Sequence, residues 1–138
     1  MSDLYLEIVS PSKTVFKGEV DSITVPGTLG KFQILKNHAP IVSTLEIGEL
    51  RIRNKSEIRF FAISGGTIEV LNNKVLILAD SIEDVDEIDL ERAKRSKERA
   101  EKRLQLKDKD LDVPRAQASL ARALNRIRLK EIHSSKRI

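Results

Sequence analysis

Apolar and polar residues alternate in short runs along the first 80 residues of the chain. Leu4, Leu6 and Ile8 alternate with Tyr5 and Glu7 in the first run, a period of two that is typical of a half-buried β-strand. Glycine, proline or asparagine interrupts the pattern every eight to twelve residues or so. The predicted strands are 4–9, 19–25, 29–35, 42–47, 49–53, 57–63, 67–71 and 74–79. Short strands at this spacing indicate a β-sandwich or flattened barrel.

Local sequence signals predict where these strands turn and where the strand region ends. Gly65-Gly66 is expected to form a flexible corner, and Asn72-Asn73 a hairpin turn between the last two strands. The segment 81–87 is acidic and has no strand pattern. It is therefore predicted to separate two domains, 1–86 and 87–138.

Beyond this boundary the apolar residues follow a helical period. Two helical runs, 89–106 and 113–129, are joined by the polar loop 107–112, which predicts an antiparallel hairpin. The residues expected to form its apolar seam are Ala93, Ala100 and Leu104 in the first run and Ala116, Leu120, Ala123 and Ile127 in the second. The predicted fold class is thus α+β, an N-terminal β-sandwich followed by a two-helix hairpin. Burial contributes about 0.8 kcal/mol per CH₂, so a seam rich in alanine predicts an element that can move.

The charge of the chain is divided unevenly between these two parts. Residues 1–86 carry nine basic and twelve acidic side chains, a net charge of −3, whereas residues 87–138 carry a net charge of +7. Many of the basic residues border the predicted seam: Arg92, Arg95, Arg99, Arg103, Arg115, Arg122 and Arg126. A basic arm on an acidic body implies an anionic partner, which could be nucleic acid, a nucleotide or an acidic protein surface. The plainer interpretation is a solvated helix face.

Several functional classes find no support in the sequence. There is no cysteine, no glycine-rich phosphate loop before a helix, and no apolar run near the roughly 20 residues that span a bilayer. The N-terminus lacks the features of a signal peptide, so we expect a soluble, non-exported and non-catalytic protein. Five aromatic residues, none of them in the hairpin, argue against nucleic-acid binding. A basic module that binds nucleic acid or protein stays the alternative. His133 is expected in a polar tail beyond the second helix.

Three segments resemble the epsilon subunit of the F-type ATP synthase. The first is PGTLGKFQILKNHAP at 26–40, and the second is SGG at 64–66 with Glu69-Val70 and 77–80. The third, IDLERA at 88–93, is similar to the nucleotide-binding motif of that family. The resemblance extends from about residue 4 to residue 129 in unbroken order. Lys31, Gln33 and Lys36 depart from the usual family residues. Since the family uses the loop 28–33 against the membrane ring, the details of that contact are not transferred.

The resemblance implies a rotor subunit of the central stalk, without catalysis of its own. In the family the sandwich contacts the gamma subunit and the membrane c-ring. The hairpin either folds onto the sandwich or extends into the alpha/beta catalytic head, where it blocks ATP hydrolysis. The implied location is the cytoplasmic face of the bacterial plasma membrane, favoured over the thylakoid. No nucleic-acid partner is implied.

The resemblance also implies that the folded hairpin binds one regulatory ATP, as a ligand and not as a catalytic cofactor. No metal site is expected. The residues that match family positions are Glu83, Ile88, Asp89, Arg92, Ala93, Arg99, Arg122 and Arg126. Guanidinium groups suit polyphosphate because they present paired donors and keep their charge. Asp89 is also a candidate N-cap of its helix. Contact with acidic groups of the catalytic head is an equally open role for Arg122 and Arg126.

Overall fold

A computed structural model describes residues 4–106 and 109–134 of the 138-residue chain. The chain divides between Asp84 and Val85 into two compact units. The boundary predicted from the sequence, after residue 86, lies two residues further along. The first unit is a β-sandwich and the second a pair of helices, so the predicted fold class is confirmed.

Eight strands form the first unit over its described residues, 4–84. They are β1 Leu4–Val9, β2 Thr14–Val20, β3 Ser22–Gly27, β4 Gly30–Ile34, β5 Ile41–Asn54, β6 Glu57–Leu71, β7 Lys74–Ala79 and β8 Ile82–Asp84. The strand order is β2-β1-β7-β6-β5-β3-β4, and β8 pairs with β6. The pairing of β1 with β7 is parallel, and the other pairings are antiparallel.

Two predicted breaks lie inside long strands. β5 runs without interruption through Gly48, and β6 runs through Gly65 and Gly66. The predicted corner at these two glycines is therefore wrong. β6 keeps β5 as one neighbour along its length, while its other neighbour changes from β8 to β7 at the glycines. A Cβ atom on Gly66 would stand 2.2 Å from the carbonyl oxygen of Leu78, so the close approach of β7 requires glycine there.

The other differences also concern strand ends. The predicted strand 19–25 spans Asp21, where β2 ends and β3 begins, and most of β2 was not predicted. β8 lies inside the acidic segment that was predicted to have no strand. The hairpin turn at Asn72-Asn73 is confirmed, because both residues have the left-handed φ angles, 50° and 62°, that a two-residue hairpin turn requires.

The core of the sandwich is built from large apolar side chains at alternate strand positions. Leu4, Leu6 and Ile8 of β1 are fully buried, as their alternation predicts. The other core residues are Val20, Ile23, Val25, Ile34, Leu45, Leu50, Ile52, Phe61, Ile63, Ile68, Val70, Val75, Ile77 and Ala79. This set supplies the first unit with an apolar core of its own.

In the part of the second unit that the structure describes, a 3-10 turn, Val85–Glu87, precedes two helices, α1 Leu90–Leu106 and α2 Val113–Ser134. The helices pack against each other, and the turn contacts α2. The buried residues of the seam are Ala93, Ala100, Ala116 and Ala123. Leu104, Leu120 and Ile127, which were also predicted to be in the seam, are half-buried. None of the helices in the described ranges has the length and apolarity needed to cross a membrane.

The second helix is longer than the sequence pattern indicated. The prediction ended it at residue 129 and assigned His133 to a polar tail, but His133 lies in α2 and is buried. The tail assignment is therefore wrong. Leu129, also fully buried, precedes His133 by four residues. Residues four apart share a helix face, so this buried face continues one turn further than the apolar pattern suggested.

Candidate nucleotide site on the helical hairpin

The start of α1 is organised by Asp89. Its Oδ1 accepts a hydrogen bond of 3.1 Å from the backbone N–H of Arg92, and its carbonyl oxygen accepts one of 3.0 Å from the N–H of Ala93. This is the geometry of an N-cap, in which a carboxylate satisfies a backbone donor that the helix leaves without an intrahelical partner. Just before it, the N–H of Ile88 donates to the carbonyl of Val85 at 3.3 Å. The predicted capping role of Asp89 is thus confirmed.

The motif at 88–93 divides into buried and exposed members. Ile88 and Ala93 are buried, with exposed fractions of 4% and 0%, whereas Asp89 and Arg92 are exposed. In this conformation the two apolar side chains offer almost no surface to a ligand. The two charged residues present the polar groups of the motif.

The arginines on both helices are supported by polar neighbours one turn earlier. Arg99 Nη2 donates to Ser96 Oγ at 3.0 Å, and Arg122 Nη2 donates to Ser119 Oγ at 3.1 Å. Arg99 is exposed, and Arg122 and Arg126 are half-buried. Each serine holds a guanidinium group along its own helix. This bond already restricts the arginine side chain, so binding a ligand costs less conformational entropy.

Packing of the hairpin determines where its basic groups lie. Every buried alanine of the seam directly follows an arginine: the pairs are Arg92-Ala93, Arg99-Ala100, Arg115-Ala116 and Arg122-Ala123. Consecutive residues in a helix are about 100° apart around its axis. An arginine row therefore borders the seam on each helix, as the sequence predicted. Closing the hairpin sets the rows of the two helices beside a common seam.

The eight predicted site residues do not all belong to one unit. Glu83 lies in β8, where it pairs with Ala62 in the first unit. The other seven, from Ile88 to Arg126, lie in the second unit. The structure thus places the arginines, Asp89 and the apolar pair on one compact hairpin.

One residue that the sequence analysis missed contacts the segment before α1. Lys130 Nζ donates hydrogen bonds to the carbonyl oxygens of Val85 at 3.2 Å and Asp86 at 3.0 Å. The available signal was its spacing, because Arg122, Arg126 and Lys130 follow one another at intervals of four residues. Such residues share one helix face.

A β-sandwich domain followed by a helical domain is the domain order of one family of ATP synthase subunits. Residues 3–85 match the family model of the ATP synthase delta/epsilon chain β-sandwich domain, and residues 86–131 match that of its long α-helix domain. The chain belongs to the ATP synthase delta/epsilon chain family, and the resemblance to the epsilon subunit is confirmed.

Bacterial epsilon chains are among its relatives. The ATP synthase epsilon chain of Desulforamulus reducens is 45% identical over 107 residues, which cover 78% of this chain and 81% of the relative. That of Syntrophomonas wolfei is 42% identical over 112 residues, covering 80% and 82%.

Solved structures share the fold. A chain in the Euglena gracilis mitochondrial ATP synthase OSCP/F1/c-ring structure superposes with a TM-score of 0.76 at 23% identity, covering 88% of this chain and 77% of that one. A chain in the Tetrahymena thermophila mitochondrial ATP synthase central stalk/c-ring structure gives 0.63 at 18% identity, covering 94% and 95%.

Proposed function

We propose that this chain is a central-stalk subunit of an F-type ATP synthase that couples proton transport to ATP synthesis without being catalytic itself. Family membership and the likeness to a chain in a central stalk/c-ring structure support this placement. Its partners are the gamma subunit, the c-ring and the alpha/beta catalytic head. The bacterial relatives support a place at the cytoplasmic face of a bacterial plasma membrane.

The hairpin is the regulatory part of the proposed function and inhibits ATP hydrolysis when it opens toward the catalytic head. The observation that carries this proposal is the seam of four buried alanines, each preceded by an arginine. Alanine contributes little burial, so the closed and open states differ by a small free energy. The arginines lie along the seam's borders and become available to acidic groups of the head.

ATP is the proposed ligand of the closed hairpin. The proposed site combines Asp89 and Arg92, at the start of α1, with Arg122 and Arg126 of α2. An open hairpin separates the two pairs, so ATP binds the closed state more tightly than the open state. A ligand at a hundredfold excess over its dissociation constant adds roughly 2.7 kcal/mol of bias toward the state it binds. That is comparable with the few kcal/mol expected of an alanine seam, so ATP can shift the balance.

Calorimetric titration of the isolated chain with ATP, repeated with ADP, tests the ligand. Arg126→Ala should weaken ATP binding by about tenfold or more, because hydrogen bonds to charged groups contribute roughly 1.5–3 kcal/mol. Arg128→Ala, on the same helix but outside the proposed site, is the matched control and should leave the affinity unchanged.

A distance measurement between labels on α1 and α2 tests the closing of the hairpin. The two labels should approach each other when ATP is added. No change in their distance at millimolar ATP would refute the sensor.

The inhibitory role is tested in the assembled enzyme. Replacing Arg115, Arg122 and Arg126 together by alanine should raise ATP hydrolysis, since three charges that face the head are removed. Exposed ion pairs contribute only about 0–1 kcal/mol each, so the triple variant is needed. Enzyme assembled with a chain ending at Glu87 gives the fully uninhibited rate for comparison. Unchanged hydrolysis in the triple variant would count against electrostatic blockade.

A further inference from the structure

The side chain of Lys130 bridges two parts of the second unit that are far apart in sequence. Its ammonium lies 3.2 Å from the carbonyl oxygen of Val85 and 3.0 Å from that of Asp86. Both carbonyls belong to the 3-10 turn Val85–Glu87, and the first of them also accepts the N–H of Ile88. Backbone carbonyl oxygens are hydrogen-bond acceptors that attract a cation. An ammonium group has three donors on a flexible stem, which suits two adjacent acceptors.

The contact of Lys130 with the 3-10 turn lies next to candidate site residues on both segments that it joins. The turn ends immediately before Ile88 and Asp89, the residues that begin the candidate site. On α2, Lys130 follows Arg126 by one turn and Arg122 by two, so the three basic residues share one face. The face of α2 that carries the two candidate arginines is therefore the face that Lys130 holds against the segment leading into α1.

We infer that Lys130 is a positioning residue of the hairpin. It fixes the register of α2 against the 3-10 turn and thereby sets Arg122 and Arg126 relative to Asp89 and Arg92. The consequence for nucleotide binding rests on the proposed function, whereas the register of the helices does not. Lys130 is half-buried, so its bonds are less weakened by solvent than those of a fully exposed side chain.

Removing the ammonium should loosen this end of the hairpin and lower its affinity for ATP. The apparent affinity of a ligand falls in proportion to the fraction of protein in the competent state. The loss of a hydrogen-bonded charge corresponds to about a tenfold effect or more. A residue that positions the arginines should also be coupled to them, so Arg126→Ala should cost less in a Lys130→Met background than in the unmutated chain.

The first measurement needs no nucleotide. Amide hydrogen exchange at residues 88–93 is followed in the full chain and in three variants, Lys130→Met, Lys130→Arg and Lys102→Met. We expect roughly tenfold faster exchange in Lys130→Met. Lys130→Arg, which keeps a charged donor, should stay near the unmutated value. Lys102→Met removes an exposed lysine of α1 and should change nothing.

The second measurement is the ATP titration of Lys130→Met, Arg126→Ala and the double variant. An unchanged rate of amide exchange at 88–93 in Lys130→Met overturns the inference. An equal increase of that rate in Lys130→Met and Lys130→Arg overturns it as well. Additive losses in the double variant overturn the positioning role. If Lys130→Met loses helical circular dichroism, Lys130→Gln takes its place in both measurements. Absence of ATP binding by the unmutated chain refutes the nucleotide site itself, while the exchange measurement still decides the register.

Discussion

The two units of this chain are stabilised in opposite ways. The sandwich buries large branched and aromatic side chains, among them Phe61, Leu50 and Ile77, whereas the seam between the helices buries alanines. Full burial of a Val, Leu, Ile or Phe side chain contributes about 1.5–3 kcal/mol, and an alanine methyl much less. The sandwich core therefore contributes far more burial free energy than the alanine seam, which is the property that the proposed switch requires.

Charge separates the units in the same way. The segment 1–86 is slightly acidic, and the segment 87–138 carries a net charge of +7 that is concentrated beside the alanine seam. Weak apolar packing and a strong charge thus occur on one element. The proposed regulation depends on this combination, because a basic element attracts anions and acidic surfaces.

The largest change that tests this comparison removes the hairpin altogether. A chain that ends at Glu87 should keep a folded sandwich, because the core residues of the first unit pack among themselves. Its thermal midpoint should stay within a few degrees of the sandwich transition of the full chain. Circular dichroism and proton NMR measure this. An unfolded fragment would show that the hairpin is part of the scaffold.

The next largest effect separates the two cores. Phe61 is fully buried in the sandwich, so Phe61→Ala should reduce the free energy of unfolding of that unit by about 3–5 kcal/mol. Denaturant titration measures the loss. Leu106→Ala, at a site that is 79% exposed, is the control and should cost little. A loss under about 1 kcal/mol for Phe61→Ala would mean that the sandwich core is as adaptable as the seam.

The sequence predicted the elements whose residues keep a regular period, such as β1, β7 and α1. It failed where glycine was taken as a break. Gly48, Gly65 and Gly66 lie inside strands, and the reason is spatial: a Cβ atom on Gly48 would stand 2.9 Å from Pro26, and one on Gly66 would meet β7. Such close approaches depend on neighbours distant in sequence, which a local pattern does not contain.

The same distinction between local and distant contacts applies to the surroundings of the candidate site. The arginine rows and the cap at Asp89 follow from helical periodicity and local chemistry, so they could be placed in advance. The contact of Lys130 with Val85 joins residues more than forty positions apart, and the burial of His133 depends on tertiary packing. Neither follows from the sequence near those residues.

A smaller effect compares the two helix starts within the hairpin. Asp89 and Asp112 cap α1 and α2 with matching bonds of 3.1 Å to the backbone N–H three residues on. Replacing either by alanine should cost about 1 kcal/mol of hairpin stability. Asp89→Ala should in addition weaken ATP binding, whereas Asp112→Ala should do so only through the lost stability. Equal ATP affinities in the two variants would reduce Asp89 to a cap.

The smallest effect is expected for a partly exposed arginine of the sandwich, which forms an ion pair and lies over two aromatic rings. Arg59 Nη2 lies 3.1 Å from Asp84 Oδ2, and its guanidinium carbon lies 5.0 Å from the ring centre of Phe61 and 5.6 Å from that of Phe16. The Arg59 side chain is 45% exposed, so solvent weakens both interactions. Arg59→Met should therefore cost about 1 kcal/mol or less of sandwich stability.

A double-mutant cycle of Arg59→Met with Asp84→Asn separates the ion pair from the ring contacts. Arg59→Lys keeps the charge but loses the planar group that lies over the two rings and donates to Asp84, so its cost measures the loss of guanidinium geometry at constant charge. We expect a coupling with Asp84 below 1 kcal/mol that falls further in high salt. Asp84 is the last residue of β8, where the first unit ends. A coupling of several kcal/mol would therefore place a strong, salt-resistant interaction at the boundary, and the scaffold would then depend on charge as the hairpin does.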